Sequence, residues 1–151
     1  MRPPNALELV GPEKPLHPDH EEALIHFLGK SQEEARAFYP GRTHYITEDF
    51  MWMTPIGLSY YLPPFLDYLK SEDAVEDAKE DVFGAGAGSV LGTLARLIED
   101  GTPLPNDLLC VAKEICAYVK QHCKRFGMSP HDESYQEYVK IIEGVKLKST
   151  N

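Results

Sequence analysis

Apolar residues recur at the three-to-four-residue interval of a helix in nearly every segment of this chain, and no convincing two-residue strand alternation appears. That pattern excludes a sheet-based architecture and predicts an all-α fold. A chain of 151 residues fits one domain and can bury about 70% of its unfolded surface. The expected architecture is therefore a compact single-domain bundle of about five to seven helices.

Punctuation along the chain divides it. Residues 1–18 hold Pro3, Pro4, Pro12, Pro15 and Pro18, which predicts an extended Pro-rich N-terminal arm. The helical domain is expected over 19–146, with a frayed tail over 147–151. Asp19 or His20 can start a helix through Leu24, Ile25 and Leu28 that stops near Gly29. Ser31 with Glu34 forms a capping-box pattern for a short helix to Phe38, ended by Pro40-Gly41. Thr47 can cap a short turn through Trp52, and Thr54-Pro55 is an N-cap followed by proline at the first helical position. From there Leu58, Tyr61, Leu62, Phe65, Leu66 and Leu69 keep one face straight through Pro63-Pro64. Pro63 removes a backbone donor, so a kink or a break is expected there.

Ser89 can open a helix with Val90, Leu91, Leu94, Leu97 and Ile98 on one face, closed by Gly101 and Pro103. The longest helix is expected from about Asn106 to Phe126, with Leu108, Ala112, Ile115, Cys116, Val119, Cys123 and Phe126 as its stripe and Gly127 as its C-cap. Ser129-Pro130 opens the last helix, with Tyr135, Tyr138, Val139, Ile142 and Val145 facing inward.

Composition narrows the function. A net charge of −9 would repel rather than neutralise phosphates, so nucleic acid is excluded as a partner and a basic protein is favoured. No apolar run approaches the ~20 residues of a membrane span. The N-terminus has an early Arg but no apolar core of a secretory signal, so a cytoplasmic protein is expected. Cys110, Cys116 and Cys123 share one predicted helix; the last two would lie ~10 Å apart along its axis, too far to bridge. All three read as small buried hydrophobes with no zinc-site spacing.

Two stretches carry the functional readings. Between Glu72 and Asp81 a Glu-Asp pair repeats every four residues: Glu72-Asp73, Glu76-Asp77, Glu80-Asp81. Like charges four apart weaken an isolated helix, so solvation or a positive partner must favour them. A docking surface for a basic protein, a plain solvated face, and a calcium site compete here, the last without the Asp-x-Asp-x-Asp-Gly order of an EF-hand. Between Asp49 and Leu69 fall 6 of the 15 aromatic residues, as core or as a pocket wall. The pocket version is lined by Trp52, Tyr60 and Tyr61, with His44, Glu48 and Asp49 as its polar groups.

Other motifs are weaker. Phe83-Gly84-Ala85-Gly86-Ala87-Gly88-Ser89 reads as a hinge that lets two helices pack closely rather than an anion cradle, since it lacks a preceding strand and a Lys-Ser/Thr ending. His17, His20 and His26 make an imidazole-rich patch. The His-Glu-x-x-His zinc pattern fails because Leu24 stands where its second histidine belongs. No metal or cofactor is expected, and no Ser or Cys sits in a nucleophile-elbow context.

The segment Glu48-Asp49-x-x-Trp52-Met53-Thr54-Pro55, followed by Leu58-x-Tyr60-Tyr61-Leu62-Pro63-x-x-Leu66, resembles the bacterial domain-of-unknown-function family numbered 6714. Phe27-Leu28-Gly29-Lys30-Ser31 is similar to that family's Phe-x-Gly-Lys stretch, and the likeness covers roughly residues 20–125. Ile56-Gly57 and the acidic repeat depart from it. The resemblance implies a small helical domain with no catalytic residues to carry over. The expected function is a non-enzymatic acidic helical binding module, immunity- or adaptor-like, that captures a basic protein partner. The alternative is a small ligand-binding protein or enzyme built on the aromatic pocket.

Overall fold

The computed structural model describes residues 1–12, 17–80 and 85–149. Among them are nine α-helices, one 3-10 turn and no strand, an all-α single domain. In chain order the helices are α1 (Ala6–Val10), α2 (Pro18–Phe27), α3 (Gln32–Phe38), α4 (Thr43–Met51), α5 (Pro55–Leu69), α6 (Glu72–Ala78), α7 (Ala87–Glu99), α8 (Asn106–Gln121) and α9 (Glu133–Glu143). No helix among the described residues is long and apolar enough to cross a membrane.

Helix α5 is the hub. It packs against α1, α3, α6 and α8, while α4 joins α2 to α7, and α7, α8 and α9 pack on one another. Its central position follows from composition: Leu58, Tyr61, Leu62, Phe65, Tyr68 and Leu69 are all buried, and a helix apolar most of the way round must be covered most of the way round.

The expected break at Pro63-Pro64 does not occur; α5 runs unbroken over 15 residues. Pro64 cannot donate to the carbonyl of Tyr60, one turn back. That carbonyl instead accepts from Gln32 Nε2 of α3 at 2.8 Å. A neighbouring carbonyl, that of Tyr61, accepts from the buried Tyr39 hydroxyl at 2.8 Å. Donors borrowed from α3 and its C-cap thus serve the stretch of helix in which the prolines sit.

Other boundaries also move. Inside the Pro-rich arm Asn5 and Glu8 make a reciprocal capping box that starts α1, and Leu9 and Val10 are buried against the domain. Gly57 makes this docking possible, because a Cβ there would lie 3.0 Å from Leu9 Cδ1 and 3.1 Å from Leu9 O. Thr54 caps α5 through Gly57 N–H, and it also donates its hydroxyl to Glu8 O and its amide to Leu9 O. Helix α4 begins at Thr43 rather than at Thr47, whose hydroxyl turns back onto the Thr43 carbonyl at 2.8 Å. On α2 Ile25 is exposed, as is Leu28 just past its end, and Ala23 and Phe27 make the buried contact instead.

Helix α8 ends at Gln121, followed by a 3-10 turn over Cys123–Phe126 that Gly127 closes in the left-handed conformation. Asp132, not Ser129, caps α9. Cys110 is exposed whereas Cys116 and Cys123 are buried, and burial pushes the Cys116 thiol up to about 12. Of the glycine-rich stretch, Gly86 has φ +80 and sits against α4: a Cβ on it would meet Thr47 Cγ2 at 2.4 Å. Phe83 and Gly84 of that stretch lie outside the described residues, and close packing at Gly86 is the part observed.

Candidate functional site

Helix α6 sorts the acidic repeat into an anchor and an exposed set. Ala74 is fully buried and fixes which face of the helix points inward. On that side the Asp77 carboxylate accepts from the Tyr68 hydroxyl at 2.6 Å and from the Gly41 amide at 2.9 Å. Asp77 is therefore a structural tie between α6, α5 and the turn before α4. Glu72, Asp73 and Glu76 point outward, with side chains 89%, 59% and 70% exposed. Glu80 is exposed beyond the end of the helix, and Asp81 lies outside the described residues.

The exposed carboxylates have cationic neighbours of their own. Glu72 lies 3.6 Å from Arg125, Asp73 lies 3.9 Å from Arg36, and Glu76 pairs with Lys79 at 2.8 Å. Arg125 is committed elsewhere, donating to the carbonyls of Lys70 and Ser71 at the end of α5. Exposed pairs of this kind contribute about 0–1 kcal/mol each, so a partner's cations can replace them at little cost.

The pocket residues named by the sequence are not gathered into one wall. Tyr61 is fully buried, and its hydroxyl donates to the carbonyls of Phe27 and Lys30 at 2.6 and 2.8 Å. Burial drives its pKa well above the ordinary phenol value. Tyr60 is buried beside it, the two rings edge to face at 4.9 Å. Trp52 is half-buried and belongs to a different group: the His17 ring stacks on it at 4.8 Å and the His20 ring meets it edge-on at 5.1 Å. His44 and Glu48 are an exposed pair 3.9 Å apart on α4.

Asp49 has the environment that the sequence did not reveal. It is 3% exposed, and its Oδ2 lies 2.6 Å from His26 Nδ1 on α2. Burial raises its pKa, the hydrogen bond and charge of His26 oppose that rise, and the carboxylates of Glu22 and Glu48 add to it. Phe38 and Tyr45 flank the His26 ring. Glu22, one turn before His26, completes a group whose donor atoms lie within 4.8 Å of one another. Such a set can share a proton or hold a cation. It spans residues 22–49, so no local motif marks it.

A groove of about 800 Å³ runs between α7 and α9. Gly92, Thr93, Arg96, Met128 and Tyr138 contribute to its walls, and the Arg96 guanidinium donates to the Met51 carbonyl at its edge. Gly92 lets the Tyr138 ring close against α7 at the groove, where a Cβ would sit 3.3 Å from it. Sequence spacing assigns α7 and α9 to the core and gives no indication that their seam is incomplete.

No family model, no curated protein and no solved structure matches this chain.

Proposed function

We propose that this protein is an acidic helical binding module that captures a basic protein partner through α6. The supporting observation is the way α6 is held. Ala74 and Asp77 fix the helix to the domain, and the Glu72, Asp73 and Glu76 side chains are thereby presented to solvent at set positions. A preorganised row of carboxylates speeds encounter with a cationic surface and sets its register. The excess of 24 Asp and Glu over 15 Lys and Arg supplies a long-range field of the same sign. An immunity- or adaptor-like role, blocking or tethering a basic protein, is the use such a surface fits.

The block that carries the family resemblance, Tyr60 to Pro63, includes the fully buried Tyr61 and Leu62. What it would share with that family is therefore core packing rather than a site. The test uses the immobilised full chain against extract of its source cells, beside a variant with Glu72, Asp73, Glu76 and Glu80 changed to Lys. A basic protein retained by the first, absent from the second and released as salt shortens the screening length below about 10 Å is the expected result. Equal retention by both variants overturns the proposal.

A further inference from the structure

Glu22 and His26 lie one helical turn apart on α2, and Asp49 meets them from α4. One donor atom from each of the three residues lies within 4.8 Å of the other two. We infer that these side chains form a binding site for a single divalent transition-metal ion. The inference is independent of the α6 reading and uses none of its residues.

The donor set is one imidazole nitrogen and two carboxylate oxygens. Calcium and magnesium prefer oxygen alone, whereas an imidazole in the set favours zinc, iron and their neighbours. Placement supports binding as well. Residues four apart share a helix face, so Glu22 and His26 project together toward α4. Asp49 supplies a buried oxygen whose position is fixed by packing rather than by a mobile surface chain. Charge acts in the same direction: Glu22 and Asp49 set two carboxylates against one imidazole, an excess that a divalent ion would relieve.

The required adjustment is small. A four-coordinate zinc ion with bonds of about 2.0–2.1 Å spaces its donors ~3.3 Å apart. The His26–Asp49 pair, now at 2.6 Å, must open slightly, and Glu22 must close in. Glu22 is exposed and free to change rotamer. Three protein ligands would leave a coordination position for water or another ligand.

The competing account is a hydrogen-bonded pin between α2 and α4. A pin needs His26 and Asp49 but has no use for Glu22, and that difference makes the test decisive. Zinc chloride is titrated calorimetrically into the full chain, with manganese chloride as a second probe. One equivalent of zinc is expected to bind, with weakening of about tenfold or more in Glu22→Gln and loss in His26→Ala and Asp49→Asn. His44→Ala, which alters an exposed imidazole paired with Glu48, is expected to bind as the unaltered chain does. Bound zinc should also raise Tm by mass action in the unaltered chain and less in Glu22→Gln. Absence of one-equivalent binding, equal affinity in Glu22→Gln, or loss in His44→Ala overturns the inference. If His26→Ala or Asp49→Asn fails to fold, the exposed Glu22→Gln substitution decides alone.

Discussion

The Tyr68 hydroxyl donates to the Asp77 carboxylate at 2.6 Å, joining the helix of the aromatic cluster to the helix of the acidic repeat. This bond separates Asp77 from the carboxylates around it. Replacing Asp77 by Ala removes it together with the bond from the Gly41 amide, and should lower stability by about 1–3 kcal/mol. Glu76→Lys, one residue away and exposed, should change stability by less than about 0.5 kcal/mol. Urea denaturation of the two variants measures the difference; equal costs would contradict the anchor role.

Gln32 and Pro64 are coupled through the Tyr60 carbonyl. Gln32→Ala leaves that carbonyl without the amide donor and should cost about 1–2 kcal/mol. In a Pro64→Ala background residue 64 regains its own N–H, so the same Gln32→Ala change should cost measurably less. A double-mutant cycle isolates this coupling from the packing lost with the proline ring. Strict additivity would show that the borrowed donor is not what keeps α5 continuous.

Tyr61→Phe deletes a hydroxyl that serves two carbonyls, those of Phe27 and Lys30. The expected loss is about 1–3 kcal/mol of stability, read from chemical denaturation, with the partner interaction intact. A variant of native stability that fails to bind would instead restore Tyr61 to a pocket.

The N-terminal helix should be acid-sensitive. The Arg2 side-chain hydrogen bond, followed by the Asn5 amide, holds Glu8 at about 2 against an ordinary 4.5. A depressed folded-state value means that the unfolded chain takes up the proton first. The contribution is therefore complete above about 4.5 and is lost as pH falls from there toward about 2. An NMR titration of the Glu8 carboxyl should find its midpoint raised toward 4.5 in Arg2→Ala; an unmoved midpoint would contradict the pairing.

The parts of the fold legible in the sequence were those with local causes. Helices α5 and α8 have long apolar stripes, and Thr54-Pro55 opens α5 as its pattern predicts. The start of α4 carries no local signal, because Arg42 provides no side-chain cap and the helix's inner face includes Thr43, Thr47 and Asp49, which hydropathy counts as outward. The donor that reaches the Tyr60 carbonyl comes from Gln32, 28 residues earlier, so local rules predict the break that does not occur. The proposed sites divide in the same way. The acidic repeat is visible as a sequence, but nothing in it distinguishes Asp77 from Asp73. His26 and Asp49 are 23 residues apart and meet only because α2 and α4 pack together.

The central claim is that position on α6, and not acidity alone, captures the partner. Two variants separate these causes: Glu72, Asp73, Glu76 and Glu80 to Lys, and Glu99, Asp100, Glu114 and Glu137 to Lys, all eight sites being exposed. Each makes four changes of two charge units, so both start from −9 and reach the same net charge. The most direct measurement is the Kd of each for the retained basic protein at fixed salt. The account predicts that binding is lost in the α6 variant and stays within a few-fold of the unaltered chain in the other; equal weakening in both would contradict it.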